Sequence, residues 1–267
     1  MFRLKASGLP DDPIFPESLD ALGYTINDAD EIVSKQYSKE HFRFYSNQNA
    51  RYNELRREAF HTAIRKIVID RLRERDIFPL HLPQLTTDKP ELEPHTTILT
   101  TKIGELLEKD LIIVINLCDR DDLGIFSWRT VAKSGGINAG SVIGFVDEVI
   151  ARCSKQGRED KQLPGFIILN PGQRLYSHTR NAMLTNESWD ALPRESLVHD
   201  GALVYNENQV AGHLDPQQHV ESVFAQVIDN PKFVRKDAKL LALGVMNGGT
   251  DLATYLDKHC MFFFGCS

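Results

Sequence analysis

The chain has 267 residues, 42% of them hydrophobic and 25% charged, with a mean hydropathy of −0.30. That is the composition of a soluble globular domain, and it excludes a collagen-like, disulfide-scaffold or wholly disordered chain. The formal net charge of −6, from 31 basic and 37 acidic residues, excludes attachment to nucleic acid by bulk charge, and no run approaches the roughly 18 apolar residues of a membrane span.

Arg3 and Lys5 have no apolar run behind them, so no secretory signal is expected. Residues 1–17 are rich in Pro and Asp and read as an extended lead-in. Ser18 to Leu22 suit one helical turn closed by Gly23. Tyr24–Asn27 and Glu31–Ser34, either side of Asp28-Ala29-Asp30, predict a β-hairpin, and the alternation in His41-Phe42-Arg43-Phe44-Tyr45 predicts a third strand. From Tyr52 to Arg75 the period changes. Leu55, Ala59, Phe60, Ile64, Ile67, Val68 and Leu72 form one face of a long amphipathic helix. Arg56, Arg57, Arg65, Lys66, Arg71, Arg73 and Arg75 lie opposite, among Glu54, Glu58, Asp70 and Glu74. That pattern reads as a solvated face with helical ion pairs, the alternative being a nucleic-acid surface.

Pro79, Pro83, Pro90 and Pro94 predict a loop of about 18 residues ending in a strand at Thr96–Thr100. The apolar run DLIIVINL (Asp110–Leu117) suits a buried parallel strand. A polar loop, a helix from Ser141 to Lys155, a buried strand GFIILN (Gly165–Asn170) and a long variable stretch from Pro171 to Pro216 follow. A helix over Gln217–Asp229, a strand over Ala238–Val245 and a helix over Gly249–Lys258 complete the pattern. This alternation predicts a three-layer α/β domain over residues 18–258, built on a mostly parallel sheet, with residues 259–267 as a tail.

Gly135 and Gly140 have phosphate-loop spacing, but Ser141-Val142 stand where Lys-Ser/Thr belongs, so Gly140 and Ser141 read first as a Gly-lined, Ser-capped helix start. Asn116 and Asn170 end predicted strands, where open α/β sheets bind ligands. With Gly140 and Ser141 they make a candidate strand-end pocket, against the plainer reading that each Asn caps a turn. His213, Asp215 and His219 come nearest to a metal cluster, yet fit no standard spacing. Cys118, Cys153, Cys260 and Cys266 lack CxxC spacing and read as free thiols. No metal or cofactor is expected.

The stretch Leu243-Gly244-Val245-Met246-Asn247-Gly248-Gly249 runs from strand through a Gly-rich turn into a helix, the context of the G-x-S-x-G nucleophile elbow. Gly244 and Gly248 occupy the two glycine places and Gly249 is a third small residue. Met246 holds the nucleophile position, and a thioether has no proton to give up. Asn247 does not replace it. Only residues 247–267 follow, with His259 their one His, so the acid and His of a triad, and the strands to carry them, are not expected. The fold class is thus an incomplete α/β-hydrolase type, with apolar surface left exposed where later strands would cover the sheet.

In order and spacing, SLDALGYTIN, Arg51-Tyr52 before the long helix, DLIIVIN, Gly140-Ser141, GFIILNP and the degenerate elbow resemble the Argonaute-binding protein 2 domain over about residues 14–258. That family occurs in fungal Argonaute siRNA chaperone complexes and at the C-terminus of class II histone deacetylases. The resemblance implies an α/β-hydrolase-like pseudoenzyme with Argonaute or a silencing or chromatin subunit as partner. It also implies indirect contact with RNA, a place in heterochromatin assembly, and location in nucleus and cytoplasm. Relatives often carry Ser in an H-S-x-G-G elbow, from which Met246 departs. The alternatives are a serine hydrolase and a direct RNA-binding protein using the basic face of residues 56–75.

Overall fold

The computed structural model describes residues 9–91, 93–155 and 163–259. Ser18–Leu22 close one turn ended by Gly23 at φ 84°. The expected hairpin follows, with β1 (Tyr24–Ile26) antiparallel to β2 (Ile32–Ser34). Asn27 holds the turn, its Oδ1 accepting from the amides of Ala29 and Glu31 at 3.0 and 2.9 Å. The third strand expected at His41–Tyr45 does not form. One backbone bond, Ser34 N–H to Glu40 O at 2.8 Å, brings the segment beside β2. Phe42 then turns inward to stack on Phe60, with centroids 3.9 Å apart. Such a pair adds about 0.5–1.5 kcal/mol to its burial, and it draws the chain off the ladder.

Asn49 caps α1 (Ala50–Arg73), accepting from the amides of Arg51 and Tyr52. Phe60, Ile64, Val68 and Leu72 are fully buried along one side. The basic side is not the solvated face the sequence suggests. Arg56 donates to the Tyr24 hydroxyl at 2.7 Å, and Arg71 to Asp30 and Asn138 at 2.6 Å each. Arg75 reaches Asp147 at 2.8 Å, and Arg65 pairs with Glu58 and Asp122. The arginines tie the helix to its neighbours; Arg73–Asp70 is a pair within the helix. The nucleic-acid surface considered for residues 56–75 is therefore largely consumed by the fold.

The proline-marked segment is also not a plain loop. Its first part is β3 (Ile77–Leu82), paired antiparallel with β4 (Thr96–Thr101), with Pro79 opposite Leu99. β3 has a strand partner on one side only among the described residues, its other edge meeting just Thr86 at His81, and at such an edge a missing N–H costs no ladder bond. A short α2 (Ile103–Leu106) leads to β5 (Leu111–Asn116). Two one-turn helices, α3 (Trp128–Val131) and α4 (Gly136–Ala139), precede α5 (Val142–Lys155). β6 (Gly165–Leu169) follows, and the stretch read as variable holds a small hairpin of β7 (Leu175–Ser177) and β8 (Ala182–Leu184) and the helix α6 (Asn186–Asp190). α7 (Pro216–Val223) runs on as a π-helical turn over Phe224–Ile228, and β9 (Lys239–Gly244) leads into α8 (Asn247–His259).

Among the described residues the main sheet has five strands in the order β3-β4-β6-β5-β9. β6, β5 and β9 are mutually parallel, and β4 alone runs against the rest. Strand residues alternate between two cores. Ile113, Ile115, Phe166 and Ile168 face α1 and α5, meeting Ile64, Val68, Val142 and Val146. Ile112, Val114, Ile167 and Leu169 face α7 and α8, meeting Val220, Val223, Leu252 and Tyr255. This is the three-layer, mostly parallel α/β arrangement expected. Burial on both faces explains why β5 and β6 read as unbroken apolar runs.

Candidate functional site

The turn from β9 into α8 has the geometry of an elbow. Met246 sits at φ 51°, in left-handed space, which costs a residue with a Cβ about 1–2 kcal/mol. Its side chain stands 74% exposed above the carboxyl end of the sheet. The flanking glycines are required by contact. A Cβ on Gly244 would lie 2.1 Å from Gly249 Cα, and one on Gly248 would lie 2.1 Å from the Leu117 carbonyl oxygen. Gly249 itself has no such constraint, since a Cβ there would meet nothing closer than 3.6 Å. Asn247 does not point to a substrate space of its own; its Nδ2 donates to Asp119 at 3.1 Å.

Asn116 is a clamp rather than a turn cap. It is fully buried at the end of β5, and its Nδ2 donates to the Gly248 carbonyl at 2.9 Å. Its own carbonyl accepts from Val245 N–H at 2.9 Å. The strained turn is thus held from β5 at two points, and Asn116 Oδ1 is left buried without a partner among the described residues. Asn170 does cap its turn, Oδ1 accepting from Gln173 N–H at 3.4 Å, and it also donates through Nδ2 to the Thr97 carbonyl at 2.9 Å.

Gly140 and Ser141 do not join these asparagines. The Gly140 carbonyl accepts from Phe126 and Ser127 N–H at 2.9 and 3.0 Å. Ser141 is buried, bridged to Ile125, with its hydroxyl donating to Asn138 O at 3.3 Å and accepting from Ile143 N–H at 3.4 Å. The neighbouring Gly136 packs on Asp30, at the N-terminal hairpin. All four residues expected to form one strand-end pocket are buried; Asn116 and Asn170 end the neighbouring strands β5 and β6, while Gly140 and Ser141 make their own contacts to Phe126, Ser127 and Asn138.

His213 and His219 do meet, Nδ1 to Nδ1 at 2.8 Å, both almost fully buried. Asp215 instead caps α7, accepting from Gln218 N–H at 2.8 Å. The network assigns the protons. His219 Nε2 accepts from Asn170 N–H at 2.9 Å, so its proton is on Nδ1 and is donated to His213 Nδ1. His213 then carries its proton on Nε2, which has no partner. Burial holds the His213 pKa down at about 4 and that of His219 well below its ordinary value.

Asp119 and Asp251 lie at the elbow, and Asp121 on the same loop as Asp119 lies farther along it. Burial, with Asp119 and Asp215 nearby, raises the Asp251 pKa. Burial, with Asp122 adjacent, pushes Asp121 up to about 6. Sequence reasoning passed over Asp121 because nothing in the spacing of Asp119, Asp121 and Asp122 shows which is enclosed. Such a site offers a strained apex, a dry clamp and carboxylates, and at the apex a thioether. Among curated proteins and among solved structures no significant match was found. The model of the Arb2 domain matches residues 15–263, most of the chain, and the protein belongs to the Arb2 domain family.

Proposed function

We propose that the protein is a non-catalytic protein-interaction subunit acting in RNA-mediated silencing and heterochromatin assembly, with Argonaute or a chromatin-complex subunit as its partner. Family membership supports an interaction role in silencing at the level of the family. Met246 carries the rest of the reading: the apex that an α/β-hydrolase reserves for its nucleophile holds a group that cannot attack an acyl carbon. The turn is nonetheless kept, with its positive φ, its close-packed glycines and the Asn116 clamp, which is what an inherited hydrolase-type scaffold without its chemistry would retain. β9 adds the surface that interaction modules use, since Leu240 and Leu241 are 42% and 52% exposed.

The test is affinity purification of the tagged chain from a fungal extract, with mass spectrometry of what is retained. Argonaute or a chromatin factor among the retained proteins supports the reading, and neither being retained overturns it. The enzymatic half has its own test. A fluorophosphonate probe is expected to label no serine, and short acyl esters are expected to go unhydrolysed; a labelled serine would refute the absence of catalysis.

A further inference from the structure

On the α1 side of the molecule lies a cavity of about 890 Å³ walled by the His41–Tyr45 segment, Arg57 and His61 of α1, Arg120 and Asp121 beyond β5, Trp128, Arg129 and Lys133 around α3, and Glu187 of α6. Its volume falls within the range of small-molecule sites. Its charge runs against that of the chain. Lys39, Arg43, Arg57, Arg120, Arg129 and Lys133 oppose Glu40, Asp121 and Glu187, whereas the whole protein carries −6. Arg43 and Arg57 are partly satisfied by Glu40 and Glu187, at 3.0 and 3.6 Å. Lys39, Arg120, Arg129 and Lys133 have no ion-pair partner among the described residues.

Rings interleave with these cations. Tyr45 is 87% exposed and Phe44 lies beside it. Deeper in, Trp128 stacks on His61 with centroids 3.7 Å apart and planes 7° from parallel. His61 is 4% exposed, and its Nε2 has no hydrogen-bond partner. Burial holds its pKa down at about 3, so its ring is uncharged at neutral pH. The Trp128 indole N–H likewise finds no acceptor among the described residues.

We propose that this cavity binds a phosphorylated nucleoside, its base against the rings of Tyr45, Phe44 and Trp128 and its phosphate against Arg120, Arg129 and Lys133. Cations interleaved with aromatic faces are what nucleotides require, and the Trp128 N–H suits a heteroatom of a base. An acidic peptide would use the cations and leave the rings idle. The source of the ligand is either a free nucleotide or one residue of a single-stranded nucleic acid.

The proposal stands independently of the partner assay. Binding is measured on the full chain by calorimetry with AMP, adenosine and inorganic phosphate, and by anisotropy with a labelled single-stranded RNA of about eight nucleotides. AMP or the RNA is expected to bind at least about tenfold more tightly than adenosine or phosphate alone, and the combined variant R120E/R129E/K133E is expected to lose at least about tenfold. Those three side chains are exposed, so circular dichroism should show the variant folded. Trp128→Phe, which keeps a ring but removes the N–H, should weaken AMP less than charge reversal does. Binding of AMP identifies a free-nucleotide site, and binding of RNA alone identifies a strand site with a salt slope. No binding at millimolar AMP and micromolar RNA, binding indifferent to charge reversal, or a polyglutamate peptide binding equally well would each overturn the proposal.

Discussion

Two glycines one position apart in the chain differ sharply in what they tolerate. Gly248→Ala would drive a methyl to 2.1 Å from the Leu117 carbonyl and 2.7 Å from that of Asn116, so the clamp on the elbow must open. We expect a loss of about 3 kcal/mol or more, read as a fall in urea midpoint. Gly249→Ala meets only ordinary contact and lies early in α8, where Ala in place of Gly is expected to be neutral or to stabilise by up to about 1 kcal/mol. A similar loss in both variants would contradict the geometry. The buried histidines set the acid limit. His61, His81 and His213 have pKa values held down to about 3, 4 and 4, with burial the largest cause for each. The unfolded chain takes up protons near 6.5 and the folded chain does not, so between those values the unfolded state binds more protons and stability rises with pH. It is complete above pH 6.5 and is lost as pH falls from there. His213 alone should account for about 1.5 kcal/mol between pH 6.5 and 5. Asp121, raised to about 6, works in the opposite direction over pH 4–6, as do Asp229 and Asp251, both raised by burial; these are three carboxylates against the five histidines held down among the described residues. Urea midpoints that stay level from pH 7 to 5 would disprove this.

At the scale of elements, α1 is held less by its apolar stripe than the sequence suggests. Arg51 donates to both oxygens of Asp12 at 2.8 and 2.7 Å, and to the carbonyls of Asp190 and Leu192 at 2.7 and 2.8 Å. One planar fork thus joins the segment before the first turn, the start of α1 and the end of α6. Lysine cannot reproduce that fork. Arg51→Lys is expected to cost about 2–4 kcal/mol, seen as a lower Tm and as faster proteolysis N-terminal to Tyr24. Equal stability of the variant would show the fork to be dispensable. The same arginines mark the limit of what could be read beforehand. Periodicity placed α1 and α8, and unbroken apolar runs placed β5 and β6, because each of these buries its apolar residues; β9, exposed along most of its length, was placed by its apolar run into a Gly-rich turn. Spacing alone could not reveal that Arg51, Arg65, Arg71 and Arg75 turn toward carboxylates far away in sequence. β3 was hidden by Pro79, which signals a break unless the strand is known to lie at an edge. Conversely, His41–Tyr45 alternates as a strand does, yet Phe42 is claimed by Phe60. The elbow was legible because its glycines are fixed by local sterics. Of the expected strand-end pocket, Asn116 and Asn170 sit at the right edge, where their side-chain N–H groups are given to backbone carbonyls, a use that spacing could not show. The cation-lined cavity went unread because its walls come from five separate stretches, although the alternation of base and ring in His41–Tyr45, and Trp128-Arg129, carried a trace of it.

On the scale of the whole molecule, the two cores on either side of the sheet close around β5 and β6 and thin toward β9. That strand pairs with β5 alone among the described residues, and its sequence, Lys-Leu-Leu-Ala-Leu-Gly, carries one charge, at its first position. A row of unpaired amides and carbonyls beside exposed leucines is a template for another chain. Without a partner protein, the concentrated chain should therefore template its own kind, strand against strand. Light scattering that grows with concentration, together with thioflavin fluorescence, would register it, and Leu241→Lys should delay both while leaving Tm unchanged. If the lone chain stays monomeric at high concentration, β9 is protected by something other than its own sequence. If it does not, the cell must keep this subunit accompanied from synthesis onward, and its abundance would follow that of its companion.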